Sequence, residues 1–301
     1  MQADLASPGG KTLNVVMATA MERGQLIFRR TERELSRLTA DQHAEAVHGF
    51  RTATRRLEIL LKQLLSSEDR NNNRLLKMLN RIRRRAGRVR DLDIQLAALR
   101  SLKVPLEPRR KTQLMQRLIE LRVQHEKRLS KLLRKHEVRE IRRRLKKASK
   151  SAGLKAGRDP LQVSREILRS VPLPGGSPSD ETLHQYRVAV KRARYAAEFA
   201  AKSPAAGQLV AELKRLQDAL GNWHDWMTLT QTATQQFGDV NQSSLVAALN
   251  NVTRAKLRQA VAALAATPVR PPGENKLSTS EVERESAAKT PVSAGRTKSA
   301  A

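Results

Sequence analysis

Two stretches of this chain repeat one pattern at helical spacing, and that repeat constrains the fold more than any other feature. Val47–Leu60 (VHGFRTATRRLEIL) and Leu183–Tyr195 (LHQYRVAVKRARY) both read His-x-x-Arg-x-x-x-(Lys/Arg)-Arg. At 100° per residue, His48, Arg51 and Arg55 fall within about 60° of one another on one helix face. His184, Arg187, Lys191 and Arg194 form the matching stripe in the second copy. Val47, Phe50, Leu57, Leu61 and Leu64 keep the register of a core-facing seam, about 120° round from the first cationic stripe. Cations beside a packed seam, in two copies, predict helices that offer a paired surface to something anionic.

The repeat extends further. Gly87-Arg88-Val89-Arg90-Asp91 follows the first stripe and Gly221-Asn222-Trp223-His224-Asp225 follows the second. From stripe His to Asp is 43 residues in one copy and 41 in the other, enough to cross one helix–turn–helix. Each half offers about four helices with short connections, the recipe for an antiparallel bundle. If the two stripes face each other, they line a cleft whose field is focused by low-dielectric walls.

In chain order, residues 1–11 read as a loose leader. Helices are expected over about 12–38, from an Asp41 cap to Ser66-Ser67, over about 74–100, and from the Pro105–Pro108 loop to about Lys135. Asn71–Asn73 read as a turn, and a break is expected near Glu137, before Val138–Lys150. Gly153, Gly157 and Pro160 form a joint between the halves, 12–150 and 158–266. Shorter helices follow over 161–170, from an Asp180 or Thr182 cap, over about 206–237 and over 243–266. Residues 267–301 lack periodicity and read as a disordered tail. No segment alternates with period two, so the expected class is all-α.

Bulk composition narrows the partner. The 301 residues carry a formal net charge of +29, which favours a polyanion: nucleic acid, inorganic polyphosphate or an anionic membrane. Aromatics make up only 3%, and most fall on expected core faces, leaving bases little to stack on. With no cysteine there is no disulfide or thiolate metal site. Neither a secretory signal nor an 18-residue apolar run is present, so a cytoplasmic protein without membrane association is expected.

Two His-stripe helices, each followed by a Gly-x-x-x-Asp helix, resemble the CHAD family (conserved histidine α-helical domain). VHGFRTATRRLEIL, RRAGRVRDLDIQL, LHQYRVAVKRARYAAEF and LKRLQDALGNWHDW carry the resemblance, which spans about residues 12–266. It implies two four-helix bundles related by a pseudo-twofold and a basic central channel that binds inorganic polyphosphate. It implies a binding module without catalysis or cofactor, associated with polyphosphate granules. His224 departs from the family, which more often has Asn before the Asp.

The residues suited to phosphate are Arg51, Arg55, Arg56, Arg187, Lys191, Arg192 and Arg194, with Arg84, Arg85, Arg88, Arg90 and Lys214 beside them. A guanidinium fork donates two parallel hydrogen bonds to a phosphate and keeps its charge when desolvated. His48 and His184 read as phosphate ligands, metal ligands or structural histidines. Neighbouring arginines should hold them neutral until a polyanion binds, which predicts tighter binding below about pH 7. Asp91 and Asp225 are expected to orient arginines. The sharper alternative is a metal site of His48, Asp91, His184 and Asp225, or a His/Asp phosphohydrolase built on His224-Asp225. Trp223 and Trp226 read as packing residues, and Glu281-Val282-Glu283-Arg284-Glu285 lacks the lysine of the Glu-x-Glu-x-Lys motif in triphosphate tunnels. No nucleotide loop or nucleophile–base set is found, so no enzyme is expected. The remaining alternatives are a nucleic-acid-binding architectural protein, or a scaffold that also binds nucleic acid weakly on basic surface outside the cleft.

Overall fold

Apolar residues at helical spacing, interrupted by Pro, Gly and capping side chains, give helices and no strands among the described residues. The computed structural model describes residues 9–65, 69–103, 108–152, 158–174, 178–200 and 202–267, with side chains from residue 22. The helices are α1 Gly9–Ala40, α2 Ala44–Ile59, α3 Arg70–Ser101, α4 Pro108–Ser130, α5 Lys135–Ala152, α6 Pro160–Arg169, α7 Asp180–Ala197, α8 Pro204–Phe237 and α9 Ser244–Ala265. A π-helical turn, Leu60–Leu64, continues α2.

Short polar side chains set the helix starts. Asp69 accepts from the Asn71 N–H, Asp159 from the Leu161 and Gln162 N–H groups, and Ser203 from the Ala206 N–H. Pro160 and Pro204 open their helices, where a missing N–H costs nothing. Ser179, rather than Asp180 or Thr182, caps α7 and accepts from the Thr182 N–H. Gly238 ends α8 at φ +81°, a conformation that glycine adopts without strain.

Other expectations give way as well: α2 starts after His43, with no side-chain cap bond, rather than from an Asp41 cap. Asn71–Asn73 belong to the first turn of α3, because Asp69 caps the helix ahead of them. Asn71 is buried there and exchanges hydrogen bonds with α5, its amide donating to the Arg144 carbonyl while the Arg144 guanidinium donates to its Oδ1. The chain also breaks at residues 131–134, earlier than Glu137, where α4 ends and the chain turns into α5, which packs on α3 and α1. Among the described residues five helices precede positions 153–157 and four follow; Gly153 and Gly157 of the expected joint lie outside the described residues, and Pro160 opens α6.

Packing runs between consecutive helices and across the repeat. In the first part α2 lies on α1 and α3, and α5 on α1 and α3; in the second α7 lies on α6 and α8, and α9 on α8. Across the parts, α2 packs on α7 and α3 on α8, so each repeated element meets its counterpart. The seam residues Val47, Phe50, Leu57, Leu61 and Leu64 are all buried. A shared core joins Leu92, Leu96 and Leu99 of α3 and Leu114 and Leu118 of α4 to Leu229 of α8 and Leu245 of α9. Met1–Ala265 accordingly form one unit. All residues beyond Thr267, and so all but the first of the expected tail, lie outside the described residues. No helix among the described residues is long and apolar enough to cross a membrane.

Candidate functional site

The α2–α7 contact brings the two stripes together. Arg51 and Arg55 on α2 stand close enough to α7 to act on Lys191, and Arg51 acts on Arg187 as well. Lys191 shows the crowding best. Burial, then Arg187, Arg55 and Arg51, push its ammonium down to about 7, against only a partial pull upward from Asp225. Burial also lowers Arg187 from the usual guanidinium range, and burial, Arg83 and Arg51 bring Arg55 down to about 10.

The third helix adds one face to this cluster. Arg83, Gly87, Arg90 and Asp91 share about 100° of α3. Arg51 Nη1 donates to the Gly87 carbonyl at 3.1 Å and to Asp91 Oδ1 at 3.1 Å. A Cβ on Gly87 would touch the Arg51 guanidinium at 3.7 Å, so the arginine lies flush on the helix at this glycine. Arg90 neighbours His48 and acts on Asp225. Arg83, which the sequence did not single out, donates to Glu58 Oε2 at 2.6 Å. Burial raises the Glu58 carboxyl, but Arg83 outweighs it and leaves the group low.

The histidines divide between the two copies. His48 stays open to solvent, yet partial burial of its ring and then Arg90, Arg51, Lys191 and Arg56 lower its affinity for a proton. His184 is lowered by burial and Arg187. Its ring lies 5.0 Å from that of His224, centroid to centroid. Burial, Arg187 and His184 drive His224 down to about 3, so it is neutral at physiological pH. Asp225 is raised, first by burial, despite the nearby Arg187. Three buried nitrogens here, Arg90 Nε, Arg187 Nε and His224 Nδ1, have no hydrogen-bond partner among the described residues. Unmet arginine donors in a buried place are costly and uncommon.

The remaining cations are placed elsewhere or committed. Arg56 Nε and Arg194 Nη1 each take one oxygen of Glu198, both at 2.7 Å, and their guanidiniums lie 5.2 and 4.8 Å from the Tyr195 ring. Arg194 Nε also donates to Gln217 at 3.0 Å. Arg85 and Arg88 lie by His125 of α4 and lower its proton affinity, after burial. Arg84 and Arg192 are exposed. Lys214 is exposed and pairs with Asp218 at 2.8 Å on its own helix. Glu198 and Arg83 could not be picked out by charge pattern alone, although Arg83 sits one turn before Gly87.

This arrangement suits an anion with several oxygens. Donors outnumber acceptors, and the aromatic rings are buried: Phe50, Tyr186, Tyr195 and Trp223 pack in the interior. Trp226 packs against the shared core. Among the described residues no group of three or more His, Asp and Glu side chains is placed to hold a metal ion, which counts against the four-residue metal site. A cavity of about 270 Å³ lies on the far side of α3, lined in part by Met78, Arg81, Ile82 and Ile141, away from the stripes.

Fold and site thus define an all-helical protein with a partly buried cationic cluster between two helices that share one sequence pattern. The family model of the CHAD domain matches residues 24–234, and the chain belongs to the CHAD family. The crystal structure of the CHAD domain from the plant Ricinus communis is similar in fold, with a TM-score of 0.62 and 18% identity, over 83% of this chain and 92% of that one. No curated protein matches.

Proposed function

We propose that this protein binds inorganic polyphosphate, without catalysis, in the cluster formed by Arg51, Arg55, Arg90, Arg187 and Lys191 with His48 and His184 beside them. The observation that carries this reading is the imbalance around Lys191: four half-buried cations, Arg51, Arg55, Arg187 and Lys191, stand together with Asp91 and Asp225 as counter-charges. Like charges held this close favour a ligand that supplies many negative oxygens from one chain. Family membership supports the same reading, and association with polyphosphate granules in the cytoplasm extends it.

The test is the double charge reversal Arg187→Glu/Lys191→Glu, assayed against long-chain polyphosphate at fixed salt. Removing two charged contacts should weaken binding by about 100-fold or more, since each contributes about 1.5–3 kcal/mol. Circular dichroism should show unchanged helix content. Retained affinity in the folded variant would overturn the proposal. Salt titration alone does not identify the anion, because counterion release makes any polyanion salt-sensitive. Competition does: DNA at equal charge should not displace polyphosphate from this site.

A further inference from the structure

Helix α5, KHEVREIRRRLKKASKSA, carries a second concentration of positive charge that the stripes do not use. Val138, Ile141, Leu145 and Ala148 bury one side of it. Arg139, Arg142, Arg143, Lys146, Lys147 and Lys150 are all exposed. By helical register they fall within an arc of about 140° on the opposite side. Glu140 takes Arg143 and Arg144, and Arg142 donates to Ser36 of α1 at 2.9 Å. Arg139, Lys146, Lys147 and Lys150 have no ion pair or hydrogen-bond partner among the described residues. They form a ridge about 16 Å long. Arg29 of α1 is exposed one turn from Gln25, which is itself bonded to Ser149 of α5, so the cationic strip is widened from the side.

We infer that this ridge is a nucleic-acid-binding surface, and that its ligand is the phosphate backbone of a duplex, bound without regard to sequence. Three observations select that partner. The apolar face of α5 is already buried, so the helix has nothing to insert into a lipid surface. The helix carries no Phe, Tyr or Trp on which unpaired bases could stack. The ridge is a straight convex row, matching a stiff line of phosphates on a duplex, and an α-helix fits the width of a major groove. Its unpartnered cations have long, mobile stems that suit backbone charge rather than base edges. Because α5 packs on α1 and α3, this surface stands on other elements than the α2–α7 cluster.

The experiment uses the full chain and a fluorescent 30-base-pair duplex of arbitrary sequence, titrated from about 50 to 300 mM salt. Arg139→Gln/Lys146→Gln/Lys150→Gln should weaken duplex binding about tenfold or more and reduce the log–log salt slope by about 2–3, one for each phosphate left without its cation. Polyphosphate affinity of that variant should stay within about twofold of the parent. Arg254→Gln/Lys256→Gln/Arg258→Gln on α9, with the same change in net charge, should keep its duplex affinity. Arg187→Glu/Lys191→Glu should also keep it, so the duplex result is separable from the polyphosphate proposal. Absence of duplex binding by the parent chain, equal losses in the α5 and α9 variants, or loss confined to the Arg187/Lys191 variant would each overturn the inference.

Discussion

The two copies of the stripe helix share a sequence pattern but differ in how far their charges are answered. In the first copy Arg51 lies on Gly87 and is held by the Gly87 carbonyl and Asp91. In the second copy, Gly221 has open space where a Cβ would point, and the buried Nε of Arg187 has no partner among the described residues. Asp225 is near enough to Arg187 to act on it, yet no ion pair joins them within 4.0 Å among the described residues. Position for position, Arg90 of the first copy corresponds to His224 of the second, a residue kept neutral. Duplication therefore yields one arginine already committed within the fold and one left with unspent donors. On the proposed reading, that asymmetry would put the polyanion's strongest contacts on α7.

The largest expected effect compares these two arginines directly. Arg187→Ala should weaken polyphosphate binding by about 10–100-fold, the range of one charged hydrogen-bonded contact. Arg51→Ala should cost under about tenfold, because one of its nitrogens already serves Gly87 and Asp91. Calorimetry at fixed salt measures both, and equal losses would break the comparison.

Next in size is a pH effect centred on Lys191. Its ammonium titrates near 7 in the free protein, and a bound polyanion favours the charged form, so affinity should fall as pH rises above 7, by at most about tenfold per unit for this one proton. The free protein should behave oppositely. Between about 7 and the ordinary lysine value of 10.5 the unfolded chain holds a proton that the folded one has released, so stability should rise with pH across that window. Lys191→Met should flatten both profiles, as followed by binding titrations and denaturant melts. Unchanged slopes would show that the crowding at α7 is not felt as charge.

The smallest effect concerns the paired glycines. Gly221→Ala meets nothing within 4 Å, and Gly87→Ala makes only ordinary contact with the Arg51 guanidinium at 3.7 Å. Both should stabilise the fold by about 0.5–1 kcal/mol through helix propensity. Only Gly87→Ala should alter the Arg51 contribution to binding. Denaturant titration with a binding assay on each variant sharpens the difference between the copies.

Much of this was legible in the chain itself. Periodicity marked the buried seam of Val47, Phe50, Leu57, Leu61 and Leu64, and the duplicated motif named Arg51, Arg187, Lys191 and Asp91, which the fold gathers into one place. Charge partnership was not legible, because it depends on which distant elements touch. Arg56 and Arg194 read as stripe members yet share Glu198, and Arg85 and Arg88 read as part of an arginine run yet lie by His125. Local capping decided against the Asn71–Asn73 turn, since one aspartate upstream extended the helix through it.

The bond from Arg56 to Glu198 closes a span of 142 positions. During synthesis the leading portion of the chain emerges with that arginine uncompensated, and with Leu114 and Leu118 lacking the α8 and α9 leucines that complete their core. Long-range closures of this kind are slow because chain entropy is lost before the contact forms. The repeat visible in the text of the sequence thus does not mark two separate cores: side chains from the later part complete the packing of the earlier one.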